Sequence, residues 1–232
     1  MEPTFADISR PLPRRLALPI LAAGLLAMTA ATSQAGTGVP DSQLWTEMDV
    51  AVPVTERVTV TGIAQLRLSE TLPNPSQTGG GLDLSYREGE WTYTADYRHQ
   101  LTGDRINEDP NVTQEARGSV TYAHRFGRNT VAVRLLLVDT ITASSNPWRA
   151  RLRVEYRRAT EGPGPVSYWY ANDEVFYQFS DSEFFRNRAQ AGVNLRLHRD
   201  VDLRVYYQRQ DTRNATPGAI NALGLRLTYT FD

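Results

Sequence analysis

The chain has 232 residues, 41% hydrophobic and 22% charged, with a formal net charge of -1. That length fits one or two ordinary domains, and the charge balance carries no signature of a nucleic-acid partner. With no cysteine, a disulfide scaffold, a thiolate metal site and a cysteine nucleophile are excluded; all 25 basic residues are arginine.

Residues 1–35 read as an export signal. Arg10, Arg14 and Arg15 form a positive n-region, and Leu16 to Ala31 is an uncharged apolar run. Ser33 and Ala35 then place small residues at the -3 and -1 positions, which predicts cleavage after Ala35. The apolar run has about 16 residues, short of the ~20 that a spanning helix needs. Residues 36–42 are expected to form a short linker and 43–232 the folded part.

From there the chain alternates with period two. Val58, Val60, Ala64, Leu66 and Leu68 alternate with Arg57, Thr59, Thr61, Gln65 and Arg67. The same pattern recurs at 82–87, 91–98, 115–122, 131–137, 148–157, 188–197, 201–208 and 225–231. Each such run predicts a strand with one apolar and one polar face. In 165–179 Val166, Tyr168 and Tyr170 fit one phase and Val175, Tyr177 and Phe179 the other, which predicts a bulge near Asn172-Asp173 that leaves Glu174 on the polar side.

Short turns near 52–56, 88–90, 127–129, 160–164 and 199–200 alternate with longer polar loops near 69–79, 102–111, 140–147, 180–183 and 211–218. Tight turns at one end and longer loops at the other are the rhythm of an outer-membrane barrel. Most strands run about 9–14 residues. A tilted crossing needs ~9–11 residues, whereas strands of globular proteins average ~5–6. The expected fold is all-β: a transmembrane antiparallel β-barrel of about 10–12 strands after a cleaved N-terminal signal peptide. Counting back from the C-terminus gives ten strands over 57–231. Leu44–Val52 is an eleventh, which has to start at the long-loop end if it joins the sheet, unless a missed strand makes the number twelve.

In a membrane barrel the apolar faces meet lipid and the polar faces line the lumen. Trp91, Trp148, Tyr86, Tyr97, Tyr122, Tyr156, Tyr207, Tyr229 and Phe231 lie on apolar faces, mostly near strand ends, as interfacial aromatic girdles require. Sixteen arginines fall on polar faces against eight acids, an excess of about +8, and the loops and termini are acidic. Arg149, Arg151 and Arg153 are spaced ~6.6 Å apart on one strand face. With Arg117, Arg134 and Arg157, and with Arg186, Arg188, Arg196 and Arg204 on later strands, they are the candidate anion-facing residues. Glu115, Glu155 and Glu174 are their candidate counter-charges. Arginine pairs bidentately with carboxylate and phosphate and stays charged, so a lumen of this kind favours small anions. No metal site and no cofactor is expected, because His99, His124 and His198 do not converge. No catalytic residue is expected either: Ser119 and His124 fall on opposite faces of their strand, so they cannot act as a nucleophile and its base.

Gln43-Leu44-Trp45-Thr46-Glu47, then Asp173-Glu174-Val175-Phe176-Tyr177, then Asn187-Arg188-Ala189-Gln190-Ala191-Gly192 form an ordered set that resembles the DUF2490 family of outer-membrane β-barrel proteins. The resemblance covers about 43–231. It implies a barrel in the outer membrane of a Gram-negative bacterium, and nothing catalytic. Phe231 resembles the terminal aromatic read by the barrel-assembly machinery, here followed by Asp232. Expected partners are therefore outer-membrane lipid, the assembly machinery and a small anionic solute, with no nucleic acid. The function expected is a narrow passive channel or lumen for small anions. The alternatives are a closed barrel with an ion-paired polar core and, less favoured, a lipid-acting barrel enzyme. A looser analogy of lumen chemistry is to small porins for acidic oligosaccharides.

Overall fold

The computed structural model describes residues 40–69, 75–103, 111–141, 148–162 and 164–231. The expected signal peptide, its cleavage site and residues 36–39 of the linker lie outside the described residues.

Among the described residues, eleven strands follow one another and there is no helix. They are β1 (Asp41–Pro53), β2 (Val58–Ser69), β3 (Pro75–Glu88), β4 (Trp91–Thr102), β5 (Asn111–Phe126), β6 (Asn129–Ile141), β7 (Trp148–Ala159), β8 (Val166–Gln178), β9 (Glu183–His198), β10 (Val201–Thr212) and β11 (Ala219–Thr230). Each pairs with its sequence neighbours, and β1 pairs with β11, so the sheet closes into a barrel. Sequence-adjacent strands are all antiparallel. An odd count then makes the closing pair parallel, and β1 runs alongside β11 from Asp41↔Ile220 to Ala51↔Thr230. The Leu44–Val52 segment is therefore the eleventh strand, starting at the long-loop end. The parallel seam also carries charge pairs: Arg226 Nε lies 2.5 Å from Asp49 Oδ2 and 3.1 Å from Glu47 Oε1.

The two faces partition as the alternation demands. Leu82, Leu84, Leu135, Leu137, Trp148 and Leu223 point outward and are exposed, although their side chains are large and apolar. Glu115, Glu155, Glu174 and Asp49 point inward and are buried. This is the reverse of a soluble protein, in which exposed contiguous apolar surface is uncommon. The outer wall carries a half-buried polar pairing on β8 and β9, where the carboxylate of Asp173 accepts from Asn187 Nδ2 at 3.0 and 3.1 Å.

The expected bulge at Asn172-Asp173 is not there. Pairing with β7 is regular throughout β8, and the irregularities against β9 fall at Val166/Tyr168 and Phe176/Tyr177. Tyr170, Asn172, Glu174 and Phe176 share one inward phase and are all buried, so Glu174 faces inward without an inserted residue.

Three connections at the tight-turn end, 89–90, 127–128 and 199–200, are two-residue reversals. Gly89 and Gly127 adopt φ of 59° and 60°, a left-handed conformation that favours glycine. Beside the first turn, Glu90 accepts a 2.7 Å hydrogen bond from the Tyr122 hydroxyl, and His124 Nδ1 lies 2.7 Å from its other oxygen. Trp91 packs against Tyr122 with ring centres 4.9 Å apart. The Tyr122 hydrogen bond, aided by His124, holds the Glu90 carboxyl below its ordinary range. A carboxylate with a depressed pKa contributes stability above its unfolded value and loses it as pH falls through the folded one. Glu90→Gln is therefore expected to lower the urea midpoint slightly at neutral pH and to leave it unchanged in acid; chemical denaturation at the two pH values checks this.

Candidate functional site

The inward side chains enclose two chambers. One, towards the long-loop end, has a volume of about 660 Å³ and is lined by ten arginines against four acids, Glu47, Asp83, Asp96 and Glu115. The other, towards the tight-turn end, has a volume of about 500 Å³ and is lined by seven arginines against four acids, Asp49, Asp83, Glu155 and Asp202. Asp83, Thr121, Arg134, Arg153 and Arg226 line both, so they form the waist between them. The basic excess is concentrated in the long-loop chamber.

Register explains how so many arginines come together. Arg134, Arg153, Glu174, Arg188 and Gln210 are successively opposite one another on β6 through β10. Glu174 is fully buried in the middle of this row. Its Oε1 accepts from Arg134 at 2.7 Å and its Oε2 from Arg153 at 3.2 Å, while Arg188 Nη1 stands 3.6 Å away. One carboxylate thus holds the directly opposed Arg134 and Arg153, whose like charges otherwise repel. A second centre forms at Glu115, which accepts from Arg117 Nε at 2.8 Å and from Arg149 at 2.9 Å, with Arg151 at 4.0 Å. Arg117 also lies 3.7 Å from Asp96. In the tight-turn chamber Glu155 pairs with Arg157 and receives Asn172 Nδ2 at 3.4 Å.

Aromatic rings also support several of the guanidinium groups. Arg67 sits 3.8 Å from the Trp45 ring centre and Arg188 5.2 Å from it. Arg151, Arg186 and Arg188 lie 4.8, 5.5 and 5.1 Å from Phe176. Arg204 lies 4.6 Å from Tyr170 and donates to the Tyr168 hydroxyl at 2.7 Å. Small residues make room for these side chains. A Cβ on Gly81 would strike Arg98, and one on Gly192 or Gly224 would strike Tyr206, which lies directly opposite both.

All ten candidate anion-facing arginines line a chamber. Arg117, Arg149, Arg151, Arg186 and Arg188 belong to the long-loop chamber and Arg157, Arg196 and Arg204 to the other, while Arg134 and Arg153 belong to both. Glu115 and Glu155 also line chambers, whereas Glu174 lies beneath its arginines. Ser119 lines the long-loop chamber, and His124 is on the exposed rim with Glu90. Arg67, Arg87, Arg98 and Arg226 complete the basic wall, and their strand parity already placed them on it. The inward Trp45, Tyr168, Tyr170 and Phe176 were not anticipated. The available signal was position: Trp45 is two residues before Glu47, and Phe176 is two after Glu174.

These features define the chain as a closed β-barrel with an apolar outer wall and a basic, partly ion-paired interior. The family described as "Protein of unknown function (DUF2490)" matches residues 42–221, and the chain belongs to it. A comparison with curated proteins gives no match.

Breaking a buried ion pair by removing one partner costs roughly 3–5 kcal/mol, because the other charge stays buried. Glu174→Gln is expected to destabilise the barrel on that scale, since it leaves Arg134, Arg153 and Arg188 facing one another. Glu161→Gln, on the exposed Arg128–Glu161 pair, is expected to have little effect. Urea unfolding followed by loss of β-sheet circular dichroism measures the difference.

Proposed function

We propose that the chain is an outer-membrane barrel, exported by a cleaved signal peptide, whose lumen admits small anionic solutes. The observation that carries this reading is the distribution of the two faces. The exposed wall is apolar, and the enclosed chamber at the long-loop end has ten arginines to four acids. An apolar outer wall suits lipid, since only a closed barrel or a helix satisfies its backbone there. Trp91, Tyr86, Tyr93 and Tyr122 near the tight turns, with Trp148 and Phe184 near the long loops, occupy the levels of interfacial girdles. On this reading the partners are outer-membrane lipid, the barrel-assembly machinery and the solute. The protein acts by passage or binding, with no covalent chemistry.

A second reading, a closed barrel with an ion-paired core, is favoured by the waist. There Arg134 and Arg153 share Glu174, and Arg226 is held by Asp49 and Glu47. Planar-bilayer recording across a potassium chloride gradient separates the two. An anion-preferring reversal potential supports the channel; absence of conductance favours the closed barrel, and cation preference contradicts an anion lumen. Arg151→Glu is expected to shift the reversal potential towards zero.

A further inference from the structure

Not every arginine of the long-loop chamber is neutralised. Glu115 and Glu174 already accept from their nearest arginines, at 2.7–3.2 Å. Arg188 reaches Glu174 only at 3.6 Å and Arg151 reaches Glu115 only at 4.0 Å. Among the described residues, Arg67 and Arg186 have no carboxylate within ion-pair distance. Arg186 Nε donates to the Thr212 hydroxyl at 3.1 Å, and Arg188 donates to the Gln210 side-chain oxygen at 2.8 Å. Both contacts are neutral. The buried Nε–H groups of Arg151 and Arg188 have no acceptor among the described residues.

These four side chains are neighbours. Arg67 and Arg188 both lie within 5.2 Å of the Trp45 ring centre, and Arg151, Arg186 and Arg188 within 5.5 Å of the Phe176 ring centre. Arg188 belongs to both groups and joins them. All four line the same chamber, the one towards the long-loop end of the barrel. A ring face attracts a guanidinium without cancelling its charge, unlike a carboxylate. Trp45 and Phe176 thus position cations and leave their charge available to a ligand. A buried cation cluster with two long ion pairs for four guanidinium groups is under-compensated in a low-dielectric wall, and an incoming anion relieves it. Each planar guanidinium presents a fork that matches a carboxylate or phosphate edge. Four forks split between two rings exceed what one monovalent ion can satisfy.

We propose that Arg67, Arg151, Arg186 and Arg188 form a saturable binding site for a small solute carrying two or more oxyanion groups. The inference rests on the reading of the lumen as anion-facing and is independent of whether ions are conducted. Such a solute bridges the Trp45-supported and Phe176-supported arginines. A lumen that binds in this way discriminates by ligand charge and geometry in addition to size.

Calorimetric titration of the full-length protein in detergent with pyrophosphate, and separately with citrate, tests the site. Saturable binding of either is expected. Pyrophosphate alone identifies a phosphoryl ligand, citrate alone a carboxylate ligand, and both an oxyanion site of broader range. The double substitution Arg151→Gln and Arg186→Gln is expected to weaken binding about tenfold or more, whereas Arg209→Gln, on the exposed outer wall, leaves it unchanged.

The unmodified chain offers a second readout. Trp45 is the inward tryptophan, whereas Trp91, Trp148 and Trp169 are exposed on the outer wall. Iodide is expected to reach the cluster and quench Trp45, and pyrophosphate or citrate to protect it. Trp45→Phe should abolish the protected component. Absence of both saturable heat and protection overturns the site. Anion-selective conductance without saturable binding leaves the channel reading standing and removes the site; binding without conductance does the reverse.

Discussion

A closed sheet gives each side chain one of two directions, and the closing register of β1 against β11 makes that choice cooperative around the ring. Slipping one strand by a single residue would move its whole polar set to the outer wall. The remaining features follow from this constraint. With eleven strands the closing pair must be parallel, and Asp49, Glu47 and Arg226 meet across it. With the apolar set directed outward, most of the charge of the strands enters a narrow interior. Charges so confined must be compensated there or by what enters.

The interior compensates them in two ways. Where a carboxylate is opposite arginine in the register, as Glu174 is to Arg153 and Arg188, one anion serves several cations. Where none is opposite, a ring takes the place, as Phe176 does between Arg151 and Arg186. The first kind neutralises and the second only positions. The distinction divides the lumen into a paired waist and an outer cluster that is only partly neutralised, through the long Arg151–Glu115 and Arg188–Glu174 contacts. It also gives physical content to the all-arginine composition, because a flat guanidinium stacks on a ring and forks an oxyanion, whereas an ammonium does neither as well.

Much of this was legible in the alternation. On β7, Arg149, Arg151 and Arg153 alternate with Ala150, Leu152 and Val154 over enough residues to fix the phase, and their inward direction follows. β8 was not legible in the same way, because both its faces carry apolar or aromatic side chains. Tyr168, Tyr170 and Phe176 look outward by residue type, while Trp169, Val175 and Tyr177 occupy the other face. Hydrophobicity alone therefore suggests a phase change where none exists. The inward rings are stabilised by guanidinium contacts from β7, β9 and β10, which sequence spacing along one strand does not encode. The eleventh strand was visible as a parity conflict, and its resolution required the parallel pairing with β11. The acidic loops 70–74 and 104–110, part of the exterior rim expected from the sequence, lie outside the described residues.

The central proposal is that the apolar face of this barrel meets lipid while the arginine face is enclosed. The chain has no cysteine, so single cysteines can be placed one at a time along β6, from Val131 to Val138, without a background label. Nitroxide labels at these positions, in the protein reconstituted into bilayers, report contact with lipid-dissolved oxygen and with a water-soluble nickel chelate. The account predicts a period-two profile in which positions 131, 133, 135 and 137 contact oxygen and positions 132, 134, 136 and 138 do not. A profile of opposite phase, or chelate contact along the whole strand, would contradict it.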